Sequence, residues 1–424
     1  MFIHKVIRND TVYKLANRYN VPEEKIIDIN QLKDASKLTI GQTLIIPAEY
    51  ITYVIKNGEN LYRIARRYNI SVSQILAVNP DIKNPGRIYP GQKIIVPKNN
   101  EVLKNIYVNG YAFPSINMNT LKMSLSYLSF LSVFSYEVRE NGLLVPINDE
   151  NIIRMARAEN TLPFMVITNI GESGGFNSEL VSLILNSEEV QDTLLGNIEY
   201  LLKSKGYSGI NIDFEYIYPS DKENYNNFLR KVVERFKPQG YTISTALAPK
   251  ISDNQQGLLY EAHDYAFHGT LADFVVLMTY EWGYSRGEPQ AVAPINRVEQ
   301  VLKYAVTRIP PLKILMGMPN YGYDWTLPYR QGTVARSLSN IAAVNLAIDV
   351  GAEIKYDSKA QAPYFNYYDK NGKLHIVWFD DARSIEARLR LVNKYDLGGV
   401  SFWTITNYFR TNFEVLSSLY GIKK

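Results

Sequence analysis

Polar and apolar side chains alternate along residues 209–215, which read Gly-Ile-Asn-Ile-Asp-Phe-Glu. Successive side chains of a β-strand point to opposite faces, so Asn211, Asp213 and Glu215 share one face. Alternate residues lie about 6.6 Å apart along a strand, and at this distance one carboxylate alters the protonation of the other. Such a pair is suited to acid–base chemistry. The alternative is a half-exposed antiparallel strand with a wet face, but the aromatic run at 216–219 favours a strand that ends at a pocket.

The composition indicates the class of chain that must position these carboxylates. Its 424 residues, 46% of them hydrophobic, are enough for one large domain and one or two small ones. The absence of cysteine excludes disulfides, thiolate metal sites and cysteine nucleophiles. The first residues lack the basic and apolar regions of a signal peptide, and no window approaches about 18 uninterrupted apolar residues, so we expect no membrane span.

Charge is distributed unevenly along the chain. Residues 1–98 contain 15 Lys and Arg against 8 Asp and Glu, a net charge of +7, whereas the remainder has a net charge of −3. No basic cluster is denser than Arg63, Arg66 and Arg67, so nucleic-acid binding is not predicted. The 32 tyrosines provide flat amphipathic rings that suit sugar faces, although such rings also suit ordinary cores.

An internal repeat occupies the first ~100 residues. Residues 12–16, Val-Tyr-Lys-Leu-Ala, return 49 positions later as Leu-Tyr-Arg-Ile-Ala, and Asn30 returns as Asn79. The offset becomes 50 after a one-residue insertion in the second copy. In each copy apolar residues at i, i+3, i+4 and i+7 predict a helix, a second short helix follows, and β-like runs flank the pair. Each unit is therefore predicted to be strand-helix-helix-strand.

Both copies resemble LysM modules, at residues 1–48 and 50–98. The second copy has the Gly-Glu-Asn-Leu-Tyr sequence that is usual before the first helix, at 58–62, whereas the first has Asn9 where glycine is usual. Asparagine tolerates a left-handed φ, so this departure is mild. The resemblance implies binding to glycans that contain N-acetylglucosamine, here peptidoglycan strands. A basic helical pair without a ligand is the alternative.

Beyond a polar linker at 98–101, apolar β-like runs alternate with helical stretches. This alternation over residues 104–424 predicts a (β/α)8 TIM barrel within the α/β class. A segment at about 330–380, rich in Tyr and Asp with turn signals, is predicted to be a small α+β insertion between strands seven and eight. The eight predicted strands are 106–113, 127–134, 163–167, 209–215, 241–246, 274–280, 313–318 and 399–403.

The ends of these strands resemble glycoside hydrolase family 18, whose central motif is D-x-x-D-x-D-x-E. The resemblance covers essentially all of residues 104–424. Active sites of such barrels lie at the carboxyl ends of the strands. Besides strand four, the matching segments are 278–281 (Met-Thr-Tyr-Glu), 317–322 (Gly-Met-Pro-Asn-Tyr-Gly) and 401–403 (Ser-Phe-Trp).

The resemblance implies a role for each matching residue. Glu215 corresponds to the general acid, and Asp213 to the carboxylate that orients the substrate's 2-acetamido group while that group attacks the anomeric carbon. Tyr280 corresponds to the tyrosine that binds the acetamido oxygen, and Trp403 to the floor of the −1 sugar site. Stereochemical retention through an oxazolinium intermediate is implied, with no metal or cofactor. The further substrate-binding candidates are Asn211, Tyr321, Glu281 and Met278.

Two departures from the family pattern bear on the mechanism. Ser208 and Asn211 replace the first two aspartates of the motif, and Glu281 replaces the common aspartate after Tyr280. With a neutral Asn211 in place of a carboxylate, we expect Asp213 to ionise more easily. An ionised Asp213 would still raise the pKa of Glu215. Activity should therefore survive with a shifted pH profile.

Other motifs suggest competing chemistry. Residues 171–175 fit the G-x-S-x-G pattern of a serine-hydrolase elbow around Ser173, but the match falls in a loop where a barrel needs glycines. The four histidines have no metal-ligand spacing, and His263 and His268 are interpreted as surface or helix-packing residues. Trp282 and Trp325 could line sugar subsites or fill the top of the barrel.

Two LysM modules before such a barrel, with no export signal, resemble the cortex-lytic N-acetylglucosaminidases of spore-forming bacteria. The resemblance implies a monomer made in the mother cell, deposited in the coat and cortex region, and active on cortex glycan or its fragments during germination. One alternative is a spore-coat protein that binds glycan without cleaving it. Another is a chitinase anchored by LysM modules.

Overall fold

The computed structural model describes residues 1–99 and 102–424, so the predicted linker lies partly outside the described residues. Each repeat folds as predicted into a strand-helix-helix-strand unit in which the two strands pair antiparallel. The first unit, called LysM1, contains β1 (Phe2–Lys5), α1 (Val12–Tyr19), α2 (Glu23–Ile29) and β2 (Thr43–Ile46). The second unit, LysM2, contains β3 (Tyr50–Val54), α3 (Leu61–Arg67), α4 (Val72–Ala77) and β4 (Lys93–Pro97).

The repeated asparagine connects the second helix of each module to its last strand. The Asn30 side chain donates to the carbonyls of Ile26 and Ile45 and accepts from the Ile45 amide, at 2.7–2.8 Å. Asn79 makes the same three bonds to Ile75 and Ile95. An amide side chain supplies both donors and an acceptor, which explains why both copies have asparagine at this position.

The larger domain alternates strands and helices. Its elements before the insertion are β5 (Lys104–Ala112), α5 (Met118–Leu125), β6 (Phe130–Glu137), α6 (Glu150–Ala158), β7 (Leu162–Thr168), α7 (Ser178–Asn186), α8 (Glu188–Lys205), β8 (Gly209–Asp213), α9 (Lys222–Phe236), β9 (Thr242–Leu247), α10 (Tyr265–Leu271), β10 (Phe274–Leu277), α11 (Ile295–Ala305) and β11 (Ile314–Pro319).

A small antiparallel sheet and one helix follow β11 directly. They comprise β12 (Gly322–Thr326), β13 (Arg336–Leu338), α12 (Asn340–Asp349), β14 (Lys355–Asp357), β15 (Ala362–Tyr368) and β16 (Leu374–Trp378). The strand order is β13-β12-β16-β15-β14. The segment predicted at about 330–380 is thus an α+β unit whose first strand begins at Gly322. The chain then completes the barrel with α13 (Ala382–Lys394), β17 (Gly399–Trp403), α14 (Arg410–Leu419) and β18 (Tyr420–Ile422).

Eight parallel strands close into a barrel, which confirms the predicted fold class. They pair in chain order from β5 to β11, then with β17, and β17 pairs back with β5 through Gly399 and Tyr107. Leucine, isoleucine and valine side chains fill the layer between strands and helices, and aromatic rings fill the interior. The rings of Tyr107 and Phe130 stack there with centroids 5.3 Å apart.

The strand boundaries differ from prediction where the chain turns toward the active face. Strand β8 ends at Asp213 rather than at Glu215, because Glu215 and Tyr216 leave the ladder and Tyr216 adopts a left-handed φ of 56°. Strand β10 likewise ends at Leu277 rather than at Tyr280. The terminal β18, which was not predicted, adds to β5 beside the barrel.

LysM1 packs directly on the barrel domain. The Ile354 amide donates to the Ile40 carbonyl at 2.9 Å, and the Thr39 hydroxyl donates to the Ala352 carbonyl at 2.5 Å. Ile29 and Ile45 of LysM1 are buried in the same apolar cluster as the barrel helices. A docking contact of this kind fixes the orientation of LysM1 relative to the barrel.

LysM2 packs against LysM1 in turn. Phe2 of LysM1 and Tyr68 of LysM2 meet edge to face at 5.9 Å, and the two modules share one apolar cluster. LysM1 therefore contacts both LysM2 and the barrel domain, and residues 67–69 of LysM2 line a cavity together with Glu386 and Arg390 of the barrel domain. Within the described part of the chain, no helix is both long and apolar enough to cross a bilayer.

Candidate active site

Asp213 and Glu215 lie at the carboxyl end of β8, beside a cleft of about 670 Å³. The Asp213 side chain is almost completely buried, and its Oδ1 has no hydrogen-bond partner among the described residues. Both side chains line the cleft, as the alternation in the sequence predicts. An unpaired carboxylate oxygen beneath the cleft is an acceptor that a substrate N–H can use.

Burial governs the protonation of this pair. Burial raises the pKa of Asp213, and burial together with the charges of Asp213 and Glu281 raises the pKa of Glu215 well above its ordinary value. Because the cleft disfavours two adjacent negative charges, the protonated form of Glu215 is favoured relative to an exposed glutamate. The expected influence of Asp213 on Glu215 is present. The neutral Asn211 was expected to make Asp213 easier to ionise. Burial acts in the opposite direction, because it disfavours the charged form of Asp213.

Asn211 lies below the cleft lining and is fully buried. Its Oδ1 accepts from the Tyr111 hydroxyl at 2.9 Å, and its Nδ2 donates to the Ser244 hydroxyl at 2.9 Å. Both ends of the amide are thus occupied, by Tyr111 of β5 across the barrel interior and by Ser244 of the adjacent β9. Asn211 thus lies in the polar floor under Asp213, outside the cleft lining, and the expectation that it contacts substrate stays a prediction.

Met278, Tyr280 and Trp403 line the cleft, as expected from the sequence. Trp403 packs edge-on against Phe134, with ring centroids 4.8 Å apart, and this contact fixes the indole plane. Gly317 provides the space for Tyr280, because a Cβ at that position would lie 2.7 Å from Tyr280 Cε1. A phenol and an indole therefore flank the two carboxylates, an arrangement that suits a sugar ring with an amide substituent.

Glu281 lies at the exposed rim of the cleft with its carboxylate bound by two tyrosines. The Tyr323 hydroxyl donates to Glu281 Oε1 at 3.0 Å, and the Tyr321 hydroxyl donates to the same oxygen. Burial raises the pKa of Tyr321 and the pKa of Tyr323 above the ordinary value of a tyrosine, so both hydroxyls stay protonated and act as donors. The longer glutamate at this position is thus held by the strand that begins the insertion.

Several cleft residues were not predicted. Tyr111 comes from β5, Tyr323 from β12, and aromatic side chains from loops complete the lining, namely Phe176, Tyr216, Tyr260 and Tyr284. The sequence held a signal for Tyr323, because Tyr321, Tyr323 and Trp325 alternate as one face of a strand does. It held none for the loop residues, which reach the cleft through tertiary packing.

The competing motifs do not form a second site. Both ring nitrogens of His263 bond to backbone groups, at Ala248 and Phe214, so this histidine is not free to act as a base for Ser173. His263 and His268 are buried, which excludes the surface alternative and supports the packing one. Trp325 is buried in the insertion and donates to the Gly287 carbonyl, whereas Trp282 lines the cleft. Across residues 1–99 and 102–424, no three side chains of His, Asp or Glu are grouped to hold a metal ion.

The barrel and its paired carboxylates define a glycosidase, and comparison with known families agrees with this class. Residues 106–407 match the glycosyl hydrolases family 18, and the chain belongs to that family. Residues 4–47 and 53–97 each match the LysM domain. These ranges coincide with the barrel and the two small units.

The chain is similar over its whole length to proteins of Bacillus species. It is 40% identical to the cortical fragment-lytic enzyme of Bacillus subtilis, over 100% of this chain and 99% of that protein. It is 39% identical to the cortical fragment-lytic enzyme of Bacillus anthracis, over 98% and 97%. The crystal structure of the Bacillus cereus spore cortex-lytic enzyme SleL superposes with a TM-score of 0.89 at 40% identity, covering 100% of this chain and 98% of that one.

Proposed function

We propose that this protein is a retaining N-acetylglucosaminidase that hydrolyses spore cortex glycan or its fragments during germination. The observation that carries the proposal is the buried pair Asp213 and Glu215, facing a cleft flanked by Tyr280 and Trp403. Full-length similarity to cortical fragment-lytic enzymes supports the choice of substrate. In this proposal the protein is a monomer and acts in the coat and cortex region.

The first step uses both carboxylates at once. Glu215, which retains its proton, protonates the glycosidic oxygen and the leaving sugar departs. The substrate's acetamido oxygen attacks the anomeric carbon, while Asp213 accepts the acetamido N–H and stabilises the positive oxazolinium ring. Tyr280 donates to the acetamido oxygen and aligns it for attack.

The second step restores the enzyme. Glu215, now deprotonated, removes a proton from a water molecule that opens the oxazolinium ring. Two inversions at the anomeric carbon give overall retention. The rule that relates carboxylate separation to stereochemistry does not apply, because the nucleophile belongs to the substrate. Only 2-acetamido sugars can supply that nucleophile.

The LysM modules provide attachment to insoluble glycan in this proposal. Each module contributes a separate weak contact, and two contacts on one repeating polymer raise the effective concentration of the second. The excess of 7 positive charges on residues 1–98 favours the anionic wall as well.

The test is to incubate the purified protein with cortex fragments and with chitooligosaccharides, and to identify the new reducing-end sugar by mass spectrometry. N-acetylglucosamine at the reducing end of cortex products supports the proposal, whereas muramic acid there contradicts it. Glu215→Gln should lower kcat by at least about 10³-fold, because it removes the proton donor with little change in shape. Turnover confined to chitooligosaccharides would identify a chitinase, and no turnover on either substrate would identify a glycan-binding protein.

A further inference from the structure

The chain after β8 has no neighbouring strand to hold it. The ladder between β7 and β8 ends at the pair Thr168–Asp213. Glu215 lies two residues beyond this point, outside any regular element. Some other group must therefore fix its backbone, since a displacement of about 1 Å at a catalytic group costs on the order of 100-fold in rate.

Asn169, the residue after β7, supplies that group. Its side chain is fully buried. Its Oδ1 accepts from the Glu215 amide at 2.9 Å, and its Nδ2 donates to the Glu215 carbonyl at 2.9 Å. One side-chain amide thus bonds both polar groups of the Glu215 peptide backbone, as the backbone of a neighbouring strand would.

The same Nδ2 also donates to the Asn177 carbonyl at 3.0 Å, and the Asn177 amide donates to the Asn169 carbonyl at 2.9 Å. These bonds close the glycine-rich loop at 171–175 and fix Asn169 against the start of α7. The loop that resembles a serine-hydrolase elbow therefore has a different use. It connects the residue that holds Glu215 to the first turn of a helix.

The residues on either side of Glu215 are fixed as well. His263 Nδ1 accepts from the Ala248 amide, so its Nε2 carries the hydrogen and donates to the Phe214 carbonyl at 3.1 Å. Ser178 donates to the Tyr216 carbonyl at 2.5 Å. Of these three residues, His263 and Ser178 bond to the neighbours of Glu215, whereas Asn169 bonds to the backbone of Glu215 itself.

We infer that Asn169 is a positioning residue for the proton donor, whose side-chain amide holds Glu215 against Asp213 and toward the glycosidic oxygen. The inference rests on the proposed role of Glu215 as general acid. It requires no contact between Asn169 and the sugar. Loss of Asn169 should therefore affect the chemical step rather than substrate binding.

The experiment measures kcat and KM of full-length variants on soluble cortex fragments across pH. Asn169→Ala should lower kcat about 100-fold while KM changes by less than about threefold. Asn169→Asp should also lower kcat, because a carboxylate can still accept from the Glu215 amide but cannot donate to the Glu215 carbonyl. Asn177→Asp is the matched control, since it adds the same charge nearby. Its side-chain oxygen accepts from the Glu179 and Leu180 amides, as a carboxylate also does.

The pH profile separates positioning from loss of folded protein. A loosened Glu215 gains water and moves away from Asp213, so its pKa falls. The basic limb of kcat reports deprotonation of the general acid, and in Asn169→Ala this limb should move to lower pH. A merely structural defect would reduce the folded fraction, measured by thermal unfolding, and leave the limb unchanged.

Glu215→Gln, measured in parallel, distinguishes the two proposals. If Glu215→Gln retains activity, the proposed function fails. If Glu215→Gln is inactive and Asn169→Ala has a wild-type kcat and pH profile, only the inference about Asn169 is overturned. The inference is also overturned if Asn177→Asp lowers kcat as much as Asn169→Asp does.

Discussion

The two LysM modules share one fold but lie in different surroundings. Ile29 and Ile45 of LysM1 are 8% and 1% exposed, because they face the barrel domain. The equivalent residues of LysM2, Val78 and Ile95, are each 37% exposed. The repeat thus presents one surface twice, covered in the first copy and open to solvent in the second.

Two equivalent glycines show the same contrast at atomic scale. Gly41 and Gly91 have nearly identical left-handed φ values of 86° and 85°. A Cβ at Gly41 would lie 1.9 Å from the Ile354 carbonyl oxygen, whereas a Cβ at Gly91 would meet nothing within 4 Å. The glycine is required by the turn in both modules and by the barrel in LysM1 alone. Duplication has therefore given one module a structural task that the other does not have.

Deletion of residues 1–98 should have the largest effect. It removes the docked module and exposes the apolar surface that covers Ile29 and Ile45, so we expect the Tm of the barrel to fall by at least about 5 °C. Turnover of soluble fragments at 25 °C should stay within about threefold, because no residue of LysM1 lines the catalytic cleft. Pull-down with insoluble peptidoglycan should show at least about tenfold weaker retention.

An unchanged Tm after this deletion would show that docking contributes nothing to barrel stability. Equal retention of the two forms would remove the anchoring role from the modules. If the full-length protein is released from peptidoglycan only at high salt, the binding comes from the positive charge of residues 1–98 rather than from sugar recognition.

The matched pair Gly41→Ala and Gly91→Ala should give the next largest difference. Both substitutions place a side chain at a left-handed φ, at a cost of about 1–2 kcal/mol. Only Gly41→Ala also collides with the barrel backbone, so its free energy of unfolding should fall by about 3 kcal/mol or more. Denaturant titration of the two full-length variants measures the difference. Equal destabilisation by the two substitutions would mean that the interface between LysM1 and the barrel domain accommodates the added methyl group without loss of stability.

Thr39→Ala and Tyr89→Ala compare a covered position with its open equivalent. Thr39→Ala removes the hydroxyl bond to Ala352 and leaves that carbonyl unpaired, at a cost of about 1–2 kcal/mol. Tyr89, which is 64% exposed, should be replaceable by alanine within about 0.5 kcal/mol. Thermal unfolding measures the stability of both variants. A larger loss of stability for Tyr89→Ala would contradict the view that the LysM1 surface is structural and the equivalent LysM2 surface is not.

The smallest effect concerns the acid sensitivity of LysM2. Burial opposes ionisation of Glu59, but hydrogen bonds from Tyr53, the Lys56 amide and Arg67 lower its pKa to about 2. A lowered pKa stabilises the module above the unfolded value of about 4.5, and this contribution is lost as the pH falls toward 2. Glu59→Gln should therefore weaken hydrogen-exchange protection of α3 at pH 7 and make little difference near pH 2. A difference in protection that is the same at pH 7 and near pH 2 would show that it does not come from the ionised Glu59 carboxylate.

The contrast between the modules also shows where sequence reasoning stops. The repeat, its helices and the eight barrel strands follow from periodicity, because each buries an apolar face of its own. The docking of LysM1 could not be predicted, since Thr39 and Gly41 look like ordinary turn residues until the Ile354 backbone is placed beside them. Residues with the same local pattern in LysM2 remain exposed.

The active site divides in the same way. Asp213 and Glu215 were predicted from two-residue alternation on one strand. Asn169 was not, because it lies 46 residues before Glu215 and its role depends on the pairing of β7 with β8. The opposing effect of burial on Asp213 was also missed. The sequence shows which charges are neighbours but not how much water the closed barrel excludes.

The packing of LysM1 has a consequence for the distance between LysM2 and the cleft. Because LysM1 packs against both LysM2 and the barrel domain, the distance from LysM2 to the cleft is set by the fold. A catalytic domain on a long flexible linker can reach many sites around one attachment point. The cleft of this protein can reach only sites that lie at one distance from LysM2. If LysM2 anchors the protein as proposed, a cut at any other distance requires LysM2 to dissociate and bind again, so tighter binding should slow movement along the glycan.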